Sequence, residues 1–374
     1  MKAFDTITSR RVEISCKLAR VRDMLKENGL QGVIFSNHFN FSWITAGGKS
    51  FVANCFDKGA TAILVTDSQC FAFCSIIEEP RIRKEEQLED LGFIICSFGW
   101  EKDETIKQIR KIVNLNRVIS DHPMDGICCR NDLIDPLRWN LTPQEQERFC
   151  YLGTAMSQAL EEYLLTVCPG MTEFEIAGGI SKALWDKGIE QVMHLVTADQ
   201  RSFDFRHGLP TDKSLKKSLI VSINGRYHGL ITTVSRMVCV GNVPAELEDK
   251  YRSCLEIESA AMAKTRPGVA EREIYDCLRD SYELQGWGDM FRRHGQGGCQ
   301  GYIPREYMIT DTSMGLAEKN RAYCYNPVID GAKSEDAFLV EEGGICMITR
   351  PMAFESVSMS VNGQKILRPA IAVI

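Results

Sequence analysis

The octet Pro169-Gly170-Met171-Thr172-Glu173-Phe174-Glu175-Ile176 recurs as Pro267-Gly268-Val269-Ala270-Glu271-Arg272-Glu273-Ile274. In both copies Pro-Gly stops an apolar-periodic helix, and the acidic residues suit the positive N-terminal end of the next one. Both of those second helices end in glycine, at Gly188 and Gly286, equally far from their Pro-Gly. Chance explains one matching octet easily, but agreement at the C-terminal cap as well points to an internal duplication. A strand pair follows the first copy, Leu219 to Ile223 and Gly229 to Val240. Residues 141–374 are therefore expected to form two related α/β halves facing each other.

Residues 1–140 read as a smaller α/β domain. Val12, Leu18, Val21 and Leu25 lie at helical spacing between Arg11 and Asn28, and Asn28-Gly29 stops the pattern. Short apolar runs follow at Val33-Ile34-Phe35, Ala62-Ile63-Leu64-Val65, Phe71-Ala72-Phe73 and Phe93-Ile94-Ile95, as in strands of a mixed sheet. The polar segment Asn140 to Gln146, with Pro143, precedes a long helical pattern and marks the boundary.

With 374 residues, 44% hydrophobic and 25% charged, the chain has the composition of a globular protein. A net charge of -6 argues against a nucleic-acid partner, which calls for a basic surface. No run approaches the ~18 apolar residues of a membrane helix, and the start Met1-Lys2-Ala3-Phe4-Asp5 has no apolar leader. The 15 cysteines are odd in number and irregularly spaced, without paired Cys-x-x-Cys modules. They read as reduced thiols of a cytoplasmic protein.

The duplicated helix starts and the N-terminal domain resemble the creatinase/prolidase/methionine aminopeptidase, or pita-bread, family. That resemblance implies two divalent metals held between the halves by two Asp, one His and two Glu. The family's first motif reads here Ser222-Ile223-Asn224-Gly225-Arg226-Tyr227-His228-Gly229-Leu230-Ile231-Thr232-Thr233-Val234-Ser235-Arg236. Tyr227, Gly229 and Arg236 hold the alignment and put Ser222 and Thr233 on the two aspartate positions. The second motif reads His294-Gly295-Gln296-Gly297-Gly298, then Arg305-Glu306, with Gly298 in place of the metal-binding His. Asn326-Pro327-Val328 replaces Glu-Pro-Gly, and Glu335-Asp336 matches in full. Of the five ligand positions, Glu335 alone keeps an ionisable ligand. One carboxylate with hydroxyls and an amide cannot offset the desolvation of two divalent ions, so no metal cofactor is expected.

The resemblance also supplies candidates for chemistry without metals, for which creatinase is the family precedent. His207 falls where a substrate-facing histidine lies, and His294 matches a second site histidine. Imidazole titrates near neutrality, so it can take a proton from water and return it to a leaving nitrogen. Lys333 and Glu335, two apart on an expected strand, share one face. They could be a catalytic carboxylate with its cation, or a structural ion pair. Glu306 is a candidate acid/base or a partner for Arg305. Arg305, Lys333 and Arg236 are candidate anion-binding groups, Arg236 with a competing core role, and Asn326 a hydrogen-bonding one. Phe41 and Trp43 could wall a substrate or pack in a core.

These readings together suggest a metal-independent hydrolase of a C–N bond in a small polar or anionic molecule, assembled as a homodimer. A metal-dependent Xaa-Pro peptidase and a non-catalytic binding protein are the alternatives.

Overall fold

The computed structural model describes residues 3–361 and 363–374. The chain divides into two compact units, one running to Glu145 and including His228–Leu230, the other made of Gln146–Tyr227 and Ile231–Ile374. The division falls inside the first turn of helix Pro143–Leu164, a few residues beyond the expected boundary. The backbone N–H and hydroxyl of Thr142 both donate to Glu145 Oε2, at 2.7 and 2.8 Å. Glu145 Oε1 in turn lies 2.7 Å from the buried Lys17 ammonium, which ties that turn to the first unit's core.

In the first unit, helix Ile7–Glu27 is capped by Thr6, whose hydroxyl accepts the Ser9 N–H at 3.2 Å. Its buried face runs through Glu13, Ile14, Lys17, Val21, Met24 and Leu25. Val12, expected on that face, is 51% exposed. The stripe passes instead through two charges that neutralise each other, with Lys17 Nζ 2.5 Å from Glu13 Oε1. A six-stranded sheet takes the order Ile94–Phe98, Cys70–Ser75, Lys58–Thr66, Gly32–Asn37, Val118–Ser120, Cys128–Cys129. Gly32–Asn37 pairs antiparallel with Lys58–Thr66 and parallel with Val118–Ser120.

Phe41 and Trp43, on the short helix His38–Ile44, are 0% and 1% exposed. Trp43 meets Phe35 edge-on at 5.9 Å, and the Lys17 ammonium lies 5.6 Å from its ring. Both side chains belong to this core, which corrects their reading as substrate walls.

The second unit carries the duplication. The preceding helices end earlier than expected, at Leu164 and Lys264, and Pro-Gly instead forms the centre of a turn before the next helix. Gly170 and Gly268 take φ values of +95° and +85° in turns closed by Met171 N–H to Cys168 O and Val269 N–H to Arg266 O. The backbone then repeats itself. Gly170 N–H bonds to Leu215 O and Gly268 N–H to Ala317 O, while Glu173 N–H bonds to Lys213 O and Glu271 N–H to Gly315 O. Thr172 and Glu175 close a reciprocal capping box on helix Glu173–Trp185. Ala270, its counterpart before helix Glu271–Leu284, has no side-chain cap.

The first half holds the four-stranded sheet Ala372–Val373, Leu230–Cys239, Ser218–Tyr227, Glu190–Ala198. The second holds the five-stranded sheet Tyr307–Met308, Gly297–Gln300, Ala322–Tyr325, Asp336–Glu341, Gly344–Met347. Helices Ala245–Lys264 and Glu271–Leu284 bury Leu255, Met262, Ile274 and Leu278 in one cluster with Tyr323, Tyr325 and Phe338 of that sheet. Two related α/β halves are thus present. Among the described residues no helix is long and apolar enough to cross a membrane.

Candidate active site

Residues from both sheets line a pocket of about 240 Å³, among them His207, Asn224, Thr233, His294, Arg305, Asn326, Lys333 and Glu335. Alternation along extended backbone sets what faces it. Lys333 and Glu335 point to the pocket, whereas Ser334 and Asp336 bond to Glu258 of helix Ala245–Lys264, at 2.5 Å from Ser334 Oγ and 2.7 Å from the Asp336 N–H. On strand Ser218–Tyr227 the same period brings Asn224 to the face of Ser222. Antiparallel register sets Leu195 opposite Ser222 and Met193 opposite Asn224, giving the pocket an apolar wall.

A closed ring of hydrogen bonds lies at its floor. Lys333 Nζ donates to Ser222 Oγ at 2.8 Å, the Ser222 and Ser235 hydroxyls meet at 2.7 Å, and Ser235 Oγ donates to Glu335 Oε2 at 2.6 Å. Lys333 Nζ closes the ring 2.9 Å from Glu335 Oε2. The other carboxylate oxygen, Oε1, accepts from Arg305 at 3.0 Å. Burial alone would raise the Glu335 pKa, but Lys333, Arg305 and the Ser235 hydroxyl hold it down to about 2. Glu335 is therefore a permanent anion that holds two cations in place.

At the other side of the pocket His207 Nε2 and His294 Nε2 are 3.2 Å apart, so one ring donates to the other. Burial, then the Lys333 ammonium, lower the His294 pKa to about 3. Desolvation and Lys333 also push His207 below the usual imidazole value, against the opposing pull of Glu335, although much of its surface stays exposed. The pair is neutral near pH 7. Two acceptors complete the lining, since Asn224 Oδ1 and Asn326 Oδ1 are buried without a hydrogen-bond partner among the described residues.

The positions that would hold a metal pair do not fit one. Ser222 offers a hydroxyl already engaged by Lys333, and Thr233 one that accepts from Gln300 Nε2 at 2.7 Å. Gly298 offers nothing, and a Cβ there would fall 2.1 Å from the Tyr307 carbonyl oxygen, so a ligand side chain would have to displace backbone. Asn326 is neutral, and both Glu335 oxygens are committed to protein cations. Among the described residues no group of three or more His, Cys, Asp or Glu could hold a metal ion. The buried Lys333 ammonium and Arg305 guanidinium would repel a dication, and neutral hydroxyls and amides could not offset that repulsion.

Two other candidates lie elsewhere. Glu306 Oε1 accepts the Tyr302 N–H at 2.8 Å and packs on Gly301, so it braces its own loop. Arg236 is fully buried, 2.5 Å from Glu161 and 3.0 Å from Asp336, and acts as a core cation. Ser235, Asn224 and Gln300 were not singled out from the sequence. A period-2 reading outward from Ser222 and Thr233 would have reached Asn224 and Ser235, whereas Gln300 arrives from a distant strand with no local signal.

A duplicated α/β domain with this pocket between its sheets, preceded by a smaller α/β unit, is the pita-bread fold. The chain belongs to metallopeptidase family M24, whose sequence pattern matches residues 151–342. It is 21% identical over 353 residues to the uncharacterized peptidase YqhT of Bacillus subtilis, covering 89% of this chain and 97% of that one. In structure it is similar to an Xaa-Pro dipeptidase from Bacillus anthracis, with a TM-score of 0.78 at 19% identity, covering 96% of this chain and 100% of the other. It is also similar to dipeptidase PepE from Mycobacterium ulcerans, with a TM-score of 0.77 at 18% identity, covering 97% and 99%. At these identities the structural likeness speaks for the fold.

Proposed function

We propose that the protein hydrolyses a C–N bond in a small anionic molecule without a metal pair, in the manner of creatinase. The observation that carries the proposal is Lys333 Nζ, 2.8 Å from Ser222 Oγ and 2.9 Å from Glu335 Oε2, an ammonium among residues aligned with the family's metal ligands. Lys333 and Arg305 supply the positive charge for an anionic substrate, and the unpaired Oδ1 atoms of Asn224 and Asn326 suit N–H donors on the same molecule. Neutral His207, backed by His294, takes a proton from the attacking water and returns it to the leaving nitrogen as the C–N bond breaks. Glu335 orients the cations and carries no proton in this scheme. A small-molecule substrate and a homodimeric assembly belong to the same proposal.

The comparisons alone fit a metal-dependent peptidase equally well, since the family and its dipeptidase neighbours point there. The donor set favours the metal-free reading. The deciding experiment screens chelator-stripped protein for amine or ammonia release from N-substituted amino acids, amidino acids and dipeptides, with and without manganese, cobalt or zinc. Turnover unchanged by metals and abolished in His207→Ala is expected. Turnover that appears only with added metal would make the protein a metallopeptidase. A ligand that binds and is never turned over would make it a binding protein.

A further inference from the structure

Helix Pro143–Leu164 runs in register along the segment from Cys346 to Phe354, away from the pocket. Gly153 sits against Ile348 so closely that a Cβ would fall 2.2 Å from the Ile348 carbonyl oxygen. One turn further, Ser157 Oγ accepts the Arg350 N–H at 3.4 Å. One turn beyond that, Glu161 Oε2 accepts the N–H groups of Met352, Ala353 and Phe354 at 2.7, 2.7 and 2.9 Å. Positions 153, 157 and 161 share one helix face, and the residue a turn before them on that face is 150. The strand residue that continues the register is 346. Both are cysteines, both are partly exposed and unbridged, and each perturbs the other's ionisation, as neighbouring thiols do.

We propose that Cys150 and Cys346 form a dithiol oxidation site that closes to a reversible intrachain disulfide when it meets a peroxide. The Gly153–Ile348 approach holds the helix backbone close to this segment, and carrying the register one turn back sets Cys150 beside Cys346, the placement a disulfide requires. The contact lets one thiol ionise at the other's expense, and at either position Arg350 favours a thiolate while burial and Glu341 oppose it. The sulfur that ionises is the nucleophile and the other is the resolving thiol.

The thiolate of the pair attacks one peroxide oxygen. The O–O bond breaks, hydroxide leaves, and the sulfur becomes a sulfenic acid oxidised by two electrons. The sulfur of the resolving thiol then attacks the sulfenic sulfur. The S–S bond forms, the S–O bond breaks, and the departing hydroxide takes the resolving thiol's proton as water. With hydrogen peroxide the balance is two thiols and one peroxide giving one disulfide and two waters. A thiol reductant reverses it by exchange.

The test treats the full-length protein with equimolar hydrogen peroxide at pH 7, blocks remaining thiols by alkylation, and maps peptides without reduction. The expected product is a cross-linked pair of peptides carrying Cys150 and Cys346, lost on adding dithiothreitol. In Cys150→Ser and in Cys346→Ser the cross-link should vanish, and a dimedone adduct should collect on the remaining cysteine of at least one variant. Peroxide titration of the wild type needs no variant, and Cys150 and Cys346 should lose alkylation together, one for one. Oxidation of the exposed Cys16, Cys128 or Cys168 while Cys150 and Cys346 both stay alkylatable would overturn the proposal, as would cross-links from Cys150 or Cys346 to other cysteines in place of each other.

Discussion

Lys333 Nζ lies 2.9 Å from Glu335 Oε2, and the same two groups are joined a second time through the hydroxyls of Ser222 and Ser235. The side chains are 6% and 2% exposed, so neither charge has water to fall back on. Such a ring holds only as a unit, because each charge is what makes the burial of the other tolerable.

Lys333→Met should therefore cost about 3 kcal/mol, since it leaves Glu335 with Arg305 as its remaining ion-pair partner. Glu335→Gln should cost a similar amount by stranding the ammonium. The double variant should lose well less than the sum of the two, and urea unfolding of all four proteins measures this. Additivity to within about 0.5 kcal/mol would mean that the pair is not coupled.

The histidine pair predicts an acid-sensitive stability. The folded-state pKa of His294, about 3, lies below the roughly 6.5 of an unfolded histidine. Below pH ~6.5 the unfolded chain therefore binds a proton that the folded chain refuses, and stability falls as the pH drops toward 3. Glu335, held at about 2 when folded, adds its own loss only below the ordinary carboxylate range near 4.3. His294→Gln should make the limb between pH 6 and about 4.5 shallower without abolishing it, because burial also holds His194 down to about 4, and should leave the lower limb unchanged. The ring carbons of His294 should show no titration by NMR between pH 5 and 8, and a midpoint near 6.5 would contradict the structure.

Much of the fold was legible because its determinants are local. The paired Pro-Gly turns, the acidic helix starts and the glycine ends each act within one turn, and they recur. At the site, Lys333 and Glu335 were legible as one face of an extended segment. Their roles were not, because those depend on Ser235 and Arg305, which reach Glu335 from other elements. Arg236 and Glu306 show the converse. Motif position made them candidates, but Glu161 and Asp336 hold one in the core and the Tyr302 N–H holds the other in its loop. Phe41 and Trp43 look in sequence like any aromatic pair, and only packing distinguishes a core from a wall.

Gly298 gives a steric prediction. Its substitution by Ala drives a methyl to 2.1 Å from the Tyr307 carbonyl oxygen, between strands Gly297–Gln300 and Tyr307–Met308. Overpacking of this kind costs about 1–3 kcal/mol. Gly298→His should be worse and should bind no zinc or manganese by calorimetry in whatever fraction folds. A stable Gly298→His protein that took up stoichiometric metal would show that the backbone can yield there.

Arg236 separates core from site. Arg236→Met removes the buried partner of Glu161 and Asp336 and should lower stability by about 3–5 kcal/mol. Because Arg236 does not line the pocket, the affinity of folded protein for a carboxylate ligand should stay within about twofold, whereas Arg305→Met should weaken it at least tenfold. Equal losses of affinity in the two variants would put Arg236 back among the binding groups.

The duplication itself can be tested through its one broken element. Thr172 closes a capping box with Glu175, and Thr172→Ala should cost about 1 kcal/mol. Ala270 occupies the matching position with φ -65° and ψ 132°, close to the -76° and 156° of Thr172, and Glu273 stands where Glu175 does. Ala270→Thr should then build the missing box and add about 0.5–1 kcal/mol, read as a higher urea midpoint at unchanged slope. Glu273→Ala alone should cost no more than about 1 kcal/mol, because its carboxylate has no cap to join and its ion pair with Lys264 is solvent-exposed. In the Ala270→Thr background the same change should remove most of the gain. If Ala270→Thr destabilises the protein and its loss does not depend on Glu273, the two helix starts are not equivalent in the way their backbones indicate.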